Sequence, residues 1–275
     1  MGTISVRTAL GAGFRLIRRE PLAFLAWCVA YFFVGVLPQL VMLDALIPFM
    51  EAFRASGGDA SDPAVLAAVE RMGHYYLLYG LSVFVSATVI PGAVFRAVLA
   101  PQDRRAFFLR VGAGEGWLGL SLLALAGLTM FGFIVLSLPA GLIAAFAAPL
   151  APLAMAAVMA TLIWGLLRLS FAPVMGFADH GFRLAQSWRS TPPLMSRLLL
   201  AAGGLFVLVL AGYMLTGVVA AGFAPDRSAD SLIAGWKSDP GGVLERVGAG
   251  RIAGLLAIST VFSTWSNVMG AAAWA

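Results

Sequence analysis

Apolar residues fill this chain in long unbroken stretches rather than in the alternating patterns of half-buried helices or strands. No Asp, Glu, Lys or Arg lies between Glu20 and Asp44, between Arg71 and Arg96, between Arg197 and Asp226, or after Arg251. The charge-free gap from Glu115 to Arg168 is about twice as long, enough for two crossings and a turn. A membrane-spanning helix needs roughly 20 predominantly apolar residues. The pattern therefore predicts six spans, near residues 22–43, 75–98, 117–138, 147–168, 197–222 and 252–273. The expected fold is all-α, a polytopic bundle of six transmembrane helices forming a single membrane domain over residues 1–275. The first span is too long for a signal-peptide core and no cleavage site follows it, so it is expected to be retained. Arg18 and Arg19 are then charges holding the inner end of that span, not a twin-arginine export signal.

Composition agrees with the pattern. Of 275 residues 61% are hydrophobic and 11% are charged, where a soluble domain carries about 25% charged residues. Cys28 is the single cysteine, which excludes an intramolecular disulfide and a cysteine-based metal cluster. Taken without its distribution, the net charge of +5 would suggest a nucleic-acid partner. The distribution points to topology instead. Arg7, Arg15, Arg18 and Arg19 precede the first span. Arg96, Arg104, Arg105 and Arg110 lie at or between the second and third, and Arg168, Arg183, Arg189 and Arg197 at or between the fourth and fifth. The opposite side holds Arg54, Arg71, Arg227, Lys237, Arg246 and Arg251, mixed with acidic residues. Basic residues in short loops mark the cytoplasmic side. Both termini are expected there, and no nucleic-acid partner is expected.

Two segments outside the spans have helical amphipathicity. On a helix of about 3.6 residues per turn, residues 4–19 gather Arg7, Thr8, Arg15, Arg18 and Arg19 on one side. Residues 182–189 gather Arg183, Gln186 and Ser187, with Leu184, Ala185 and Trp188 opposite. Both segments contain Gly-Phe-Arg-Leu and both precede a span. Interfacial helices are expected over 4–19 and near 178–190, apolar face toward acyl chains and arginines toward lipid phosphate. A third basic, aromatic lead-in, RRAFFLRVGAGEGW, begins at Arg104. The candidate contacts are Arg15, Arg18, Arg19, Arg183, Trp188, Arg189 and Arg197. The expected partners are anionic lipid headgroups, with a protein partner or a second copy of the chain left open.

Within the spans, ionisable residues are functional candidates by default, but here they sit near span ends. Asp44 and His74 are expected at outer ends, Arg96 and Arg168 at inner ends, where long side chains snorkel to water. The most polar span is the last. Ser259, Thr260, Ser263, Thr264, Ser266 and Asn267 fall on one face, an arc of roughly 160°. An unpaired Asn267 amide in lipid would cost several kcal/mol, so this face is expected to meet other helices or water. Helix–helix hydrogen bonding and a polar permeation path both remain open. No catalytic, cofactor-binding or metal-binding residues are expected: GAGEGW does not satisfy GxGxxG, and Asp179-His180 reads as helix-start chemistry without a nucleophile beside it.

The run RLSFAPVMGFADHGFRLAQSWRSTPPLMSRLLL resembles a family of bacterial six-helix membrane proteins, similar to the membrane domain fused to some glycerophosphoryl diester phosphodiesterases. Arg168, Ser170, Pro173, Ser187, Trp188 and Thr191 stand at the places of that family's pattern. Thr191-Pro192-Pro193 replaces its usual turn after the tryptophan. ALGAGFRLIRREPLAFLAW and FLRVGAGEGW extend the likeness along the chain. The resemblance implies a stand-alone protein of a bacterial inner membrane without the phosphodiesterase catalytic domain. The expectation is a non-enzymatic lipid- or protein-interacting module; the alternative is a small permease using the last span.

Overall fold

The computed structural model describes residues 5–222 and 249–275. Residues 1–4, residues 223–248 and the side chains of Asp44 and His74 lie outside the described residues. Every regular element among those described is helical. In chain order they are α1 (Val6–Arg19), α2 (Pro21–Tyr31), a π-helical turn (Phe32–Val36), α3 (Leu37–Ala55) and α4 (Pro63–Leu99). After a 3-10 turn (Arg105–Phe108) come α5 (Ala113–Phe146), a second 3-10 turn (Ala148–Leu150), α6 (Ala151–Arg168), α7 (Ala172–Asp179) and α8 (Leu184–Ser190). A third 3-10 turn (Pro192–Leu194) leads into α9 (Met195–Gly222), and α10 (Ala249–Trp274) closes the chain.

Among the described residues six segments are long and apolar enough to cross a membrane: Pro21–Gln39, Pro63–Leu99, Arg105–Phe146, Ala148–Asp179, Pro192–Val219 and Ala253–Trp274. Large apolar side chains lie exposed along them, among them Phe131, Leu138, Leu153, Phe206 and Val218. A water-facing surface does not carry apolar cover of that extent, whereas acyl chains match it. The chain is a multi-pass helical membrane protein.

Charge-free stretches locate the hydrocarbon-compatible part of a helix and not its ends. α4 starts 12 residues before the expected span, at Pro63 rather than near 75, which adds about 18 Å of helix. Its start is chemically defined. Asp62 Oδ1 accepts from the Ala64 N–H at 2.7 Å, and Pro63 opens the helix where no N–H is needed. α5 likewise runs on to Phe146, and the change of direction before α6 takes only the turn at Ala148–Leu150.

Packing divides the chain into two compact units. One comprises Met1–Arg19, Pro91–Phe206 and Met269–Ala275; the other comprises Glu20–Ile90 and Val207–Val268. In the first unit α5 packs on both α6 and α7. Its core includes Phe95, Phe108, Leu118, Ala172, Phe177 and Leu198. Close approach there depends on glycine: a Cβ at Gly114 would stand 3.0 Å from the Phe177 ring, and one at Gly176 would stand 2.8 Å from Ser121 Oγ.

In the second unit the core includes Trp27, Val36, Ile90 and Thr264. The π-helical turn lies just before Pro38, which has no N–H to return to the Val34 carbonyl four residues back. The Ser82 hydroxyl donates to that carbonyl. A freed backbone acceptor within a span is thus satisfied by a side chain from another helix, as an apolar solvent requires. Gly212 admits the Phe262 and Trp265 rings, which a Cβ would meet at 2.7 and 2.9 Å.

Candidate functional site

The lead-in segments differ from one another in structure. α1 is a 14-residue helix, with Phe14 exposed and Leu16 buried. The segment near 178–190 is not one helix. α7 ends at Asp179, His180 takes a left-handed conformation with φ 49°, and α8 starts only at Leu184. Asp179-His180 therefore terminates a helix rather than starting one. Asp179 pairs with Arg183 at 3.2 Å across the break. The third lead-in is not helical either: Ala106, Phe107 and Phe108 all have positive φ, and Phe108 is buried. Composition alone did not distinguish a surface helix from a tight basic loop.

That loop is organised by Arg96. Its guanidinium does not snorkel to water. It pairs with the Glu115 carboxylate, the two side chains being 9% and 3% exposed. Arg96 Nη1 also donates to the carbonyls of Phe108 at 2.8 Å and Arg110 at 2.9 Å, and the group stands over the Phe177 ring at 5.6 Å. Glu115 lies in the first turn of α5, and its Oε2 accepts from the Gly112 N–H at 2.9 Å. A carboxylate there complements the positive end of the helix dipole. Gly92, one turn before Arg96, leaves room for it; a Cβ would stand 2.8 Å from Glu115 Oε1. Asp103 and Arg110 close the outer part of the loop at 2.5 Å. The sequence signal was there: Glu115 stands three residues after a glycine at a helix start.

A second cluster forms where α6 ends. Helix termini leave carbonyls without intrahelical donors. The Arg168 carbonyl receives the hydroxyls of Ser187 and Thr191, both at 3.1 Å. The Arg168 guanidinium stands over Trp188 at 4.5 Å and Trp164 at 5.4 Å, and the two indoles meet edge to face at 5.3 Å. Arg168, Ser187, Trp188 and Thr191 thus meet in space. Ser170 bonds its own helix end, to the Leu167 carbonyl at 2.9 Å, and Pro173 sits in the first turn of α7.

The remaining candidates divide into tied and exposed groups. Arg15 folds back onto the Thr8 carbonyl at 2.6 Å, and Arg19 donates to the Ala97 carbonyl at 2.6 Å, fastening α1 to the end of α4. Arg18, Arg189 and Arg197 are exposed. Beside α8 a groove of about 510 Å³ is lined by Phe182, Arg183, Ala185, Gln186, Arg189 and Ser190.

The polar face of the last helix lies in the second unit and is not uniform. Thr260 and Thr264 are buried, Ser263 and Asn267 are half-buried, and Ser259 is exposed. Their hydrogen bonds stay mostly within α10: Thr260 to the Leu256 carbonyl at 2.7 Å, Thr264 to Thr260 at 2.8 Å and Asn267 Nδ2 to Ser263 at 2.9 Å. One N–H of the Asn267 amide therefore has a partner on its own helix.

Among the described residues no three His, Cys, Asp or Glu side chains come together as a metal-holding group. The site chemistry is that of cations, indoles and hydroxyls at helix ends in a multi-pass membrane protein. Comparison with family models, with characterised proteins and with solved structures finds no match.

Proposed function

We propose that this chain is a non-enzymatic protein of a bacterial inner membrane, both termini cytoplasmic, that binds anionic lipid headgroups at its cytoplasmic lead-in segments. The observation that carries the reading is the groove beside α8, where Arg183 and Arg189 flank Gln186 and Ser190 and Phe182 offers an apolar edge. Cations, donors and an exposed aromatic ring together suit a phosphate at the level of the acyl boundary. Sidedness rests on the charge map, with twelve arginines on the inner side against six basic residues on the outer.

A permease is the weaker reading. Thr260 and Thr264 are buried and donate to carbonyls of their own helix, so two of the six polar-face side chains are engaged inside the fold.

The test is native mass spectrometry of the R183Q/R189Q variant against wild type in equimolar phosphatidylglycerol and phosphatidylcholine. Two cations near an anionic surface contribute about 1 kcal/mol each, so the variant should lose roughly tenfold or more of its preference for the anionic lipid. An unchanged preference would sink the proposal. Reporter fusions that place residues 223–248 in the cytoplasm would sink the topology.

A further inference from the structure

A separate cleft of about 430 Å³ lies within the first unit, away from the α8 groove. That size falls in the usual range for small-molecule sites, roughly 300–1,000 Å³. Its walls come from α1, the end of α4, the start of α9 and the end of α10. Six of the thirteen lining residues are alanine: Ala9 and Ala12 from α1, Ala201 from α9, Ala272 and Ala273 from α10, and Ala275 just after it. Alanines leave width that Leu or Val would fill. Arg197 is the one charged side chain among the lining residues, and Ser5 and Thr8 add hydroxyls. Trp274 also lines it, held edge to face on Phe171 at 6.1 Å.

Arg197 and the alanine walls call for opposite ligand properties. An exposed guanidinium recognises phosphate through paired donors, while the alanine walls accept only apolar matter. A soluble anion would leave the slot unfilled, and a plain hydrocarbon would make no use of Arg197 and the hydroxyls. We propose that the cleft holds one glycerophospholipid, its phosphate on Arg197 and one acyl chain along the alanine walls. The lipid then fills the space between α1 and the ends of α9 and α10, joining the N-terminal helix to the rest of its unit. This inference rests on the proposed membrane setting but not on the α8 groove.

The experiment compares four proteins by native mass spectrometry after exhaustive detergent exchange: wild type, R197Q, A12L/A273L and R183Q/R189Q. Arg197 is exposed, and Ala12 and Ala273 are only half-buried, so none of these changes disturbs the core; unfolding temperature in detergent confirms the fold of each. Wild type and R183Q/R189Q should keep one phospholipid. R197Q should retain it with about tenfold lower occupancy, the loss expected when a charged hydrogen-bond donor is removed. A12L/A273L should lose it by steric filling, and millimolar inorganic phosphate should not displace it from wild type. Retention by both R197Q and A12L/A273L would overturn the assignment. Loss from R183Q/R189Q alone would also overturn it, while locating the lipid at the α8 groove and leaving that proposal standing. Displacement by phosphate would show that the acyl chain is not bound in the cleft.

Discussion

Removing both halves of the Arg96–Glu115 pair should destabilise the protein by less than the sum of removing each alone. The two side chains are nearly fully buried, and an unpartnered buried charge costs about 3–5 kcal/mol. R96M leaves the Glu115 carboxylate with the Gly112 N–H alone and takes the donor from two carbonyls. It belongs at the upper end of that range. E115Q keeps a carbonyl oxygen for Gly112 and leaves Arg96 bonded to Phe108 and Arg110, so about 3 kcal/mol is expected. The double variant loses the carbonyl contacts but buries no lone charge. Its total should therefore fall short of the sum by about 2 kcal/mol, within the range seen for directly contacting groups. Unfolding by sodium dodecyl sulfate in dodecylmaltoside micelles, followed by tryptophan fluorescence, gives the three values. Additivity within about 0.5 kcal/mol would refute the reasoning, because independent sites behave that way.

Other outcomes follow from single contacts. Thr191→Val should destabilise by about 1 kcal/mol by taking one donor from the Arg168 carbonyl, and Trp188→Ala by about 1–2 kcal/mol through the lost cation–π contact; both are read by the same titration. Gly13→Val should lower the unfolding temperature by several degrees, because even a Cβ there would stand 2.9 Å from the Met269 Cα; Gly203→Ala, with open space around it, is the control. At the surface, hydrogen bonds from the Ser61 hydroxyl and N–H hold the Asp59 carboxyl below the ordinary carboxylate range. The stabilisation these bonds give is fully present above the ordinary carboxylate value and is lost as pH falls through the depressed one. Ser61→Ala should move the Asp59 titration upward in a carbon-detected NMR series, and an unmoved midpoint would exclude the hydroxyl as the cause.

Some of the candidate site was legible in the sequence, and its limits have physical causes. The cationic and aromatic side chains were identifiable from composition and spacing, because amphipathicity is a local property. Whether a given arginine is offered outward or used inside was not. Arg19 and Arg96 carry the same charge as Arg18 and Arg189, yet they satisfy backbone carbonyls of the fold. Ser187 and Thr191 are unremarkable polar residues until the end of α6 is brought beside them. The break at His180 was also missed, since Phe182-to-Arg189 periodicity says nothing of the residues just before it.

The number and approximate place of the membrane helices follow from the sequence alone. Hydrocarbon tolerates few charges, so charge-free length is nearly a direct readout of burial in lipid. The amphipathic character of residues 4–19 follows in the same way, from side-chain order on a single helix. Tertiary structure decided everything that depends on a second segment: the partnering of Arg96 with Glu115, the donors to the Val34 and Arg168 carbonyls, and the alanine-walled cleft beside Arg197. The physical reason is that these features satisfy backbone groups or fill space left by a distant element, and no local pattern specifies which element that will be.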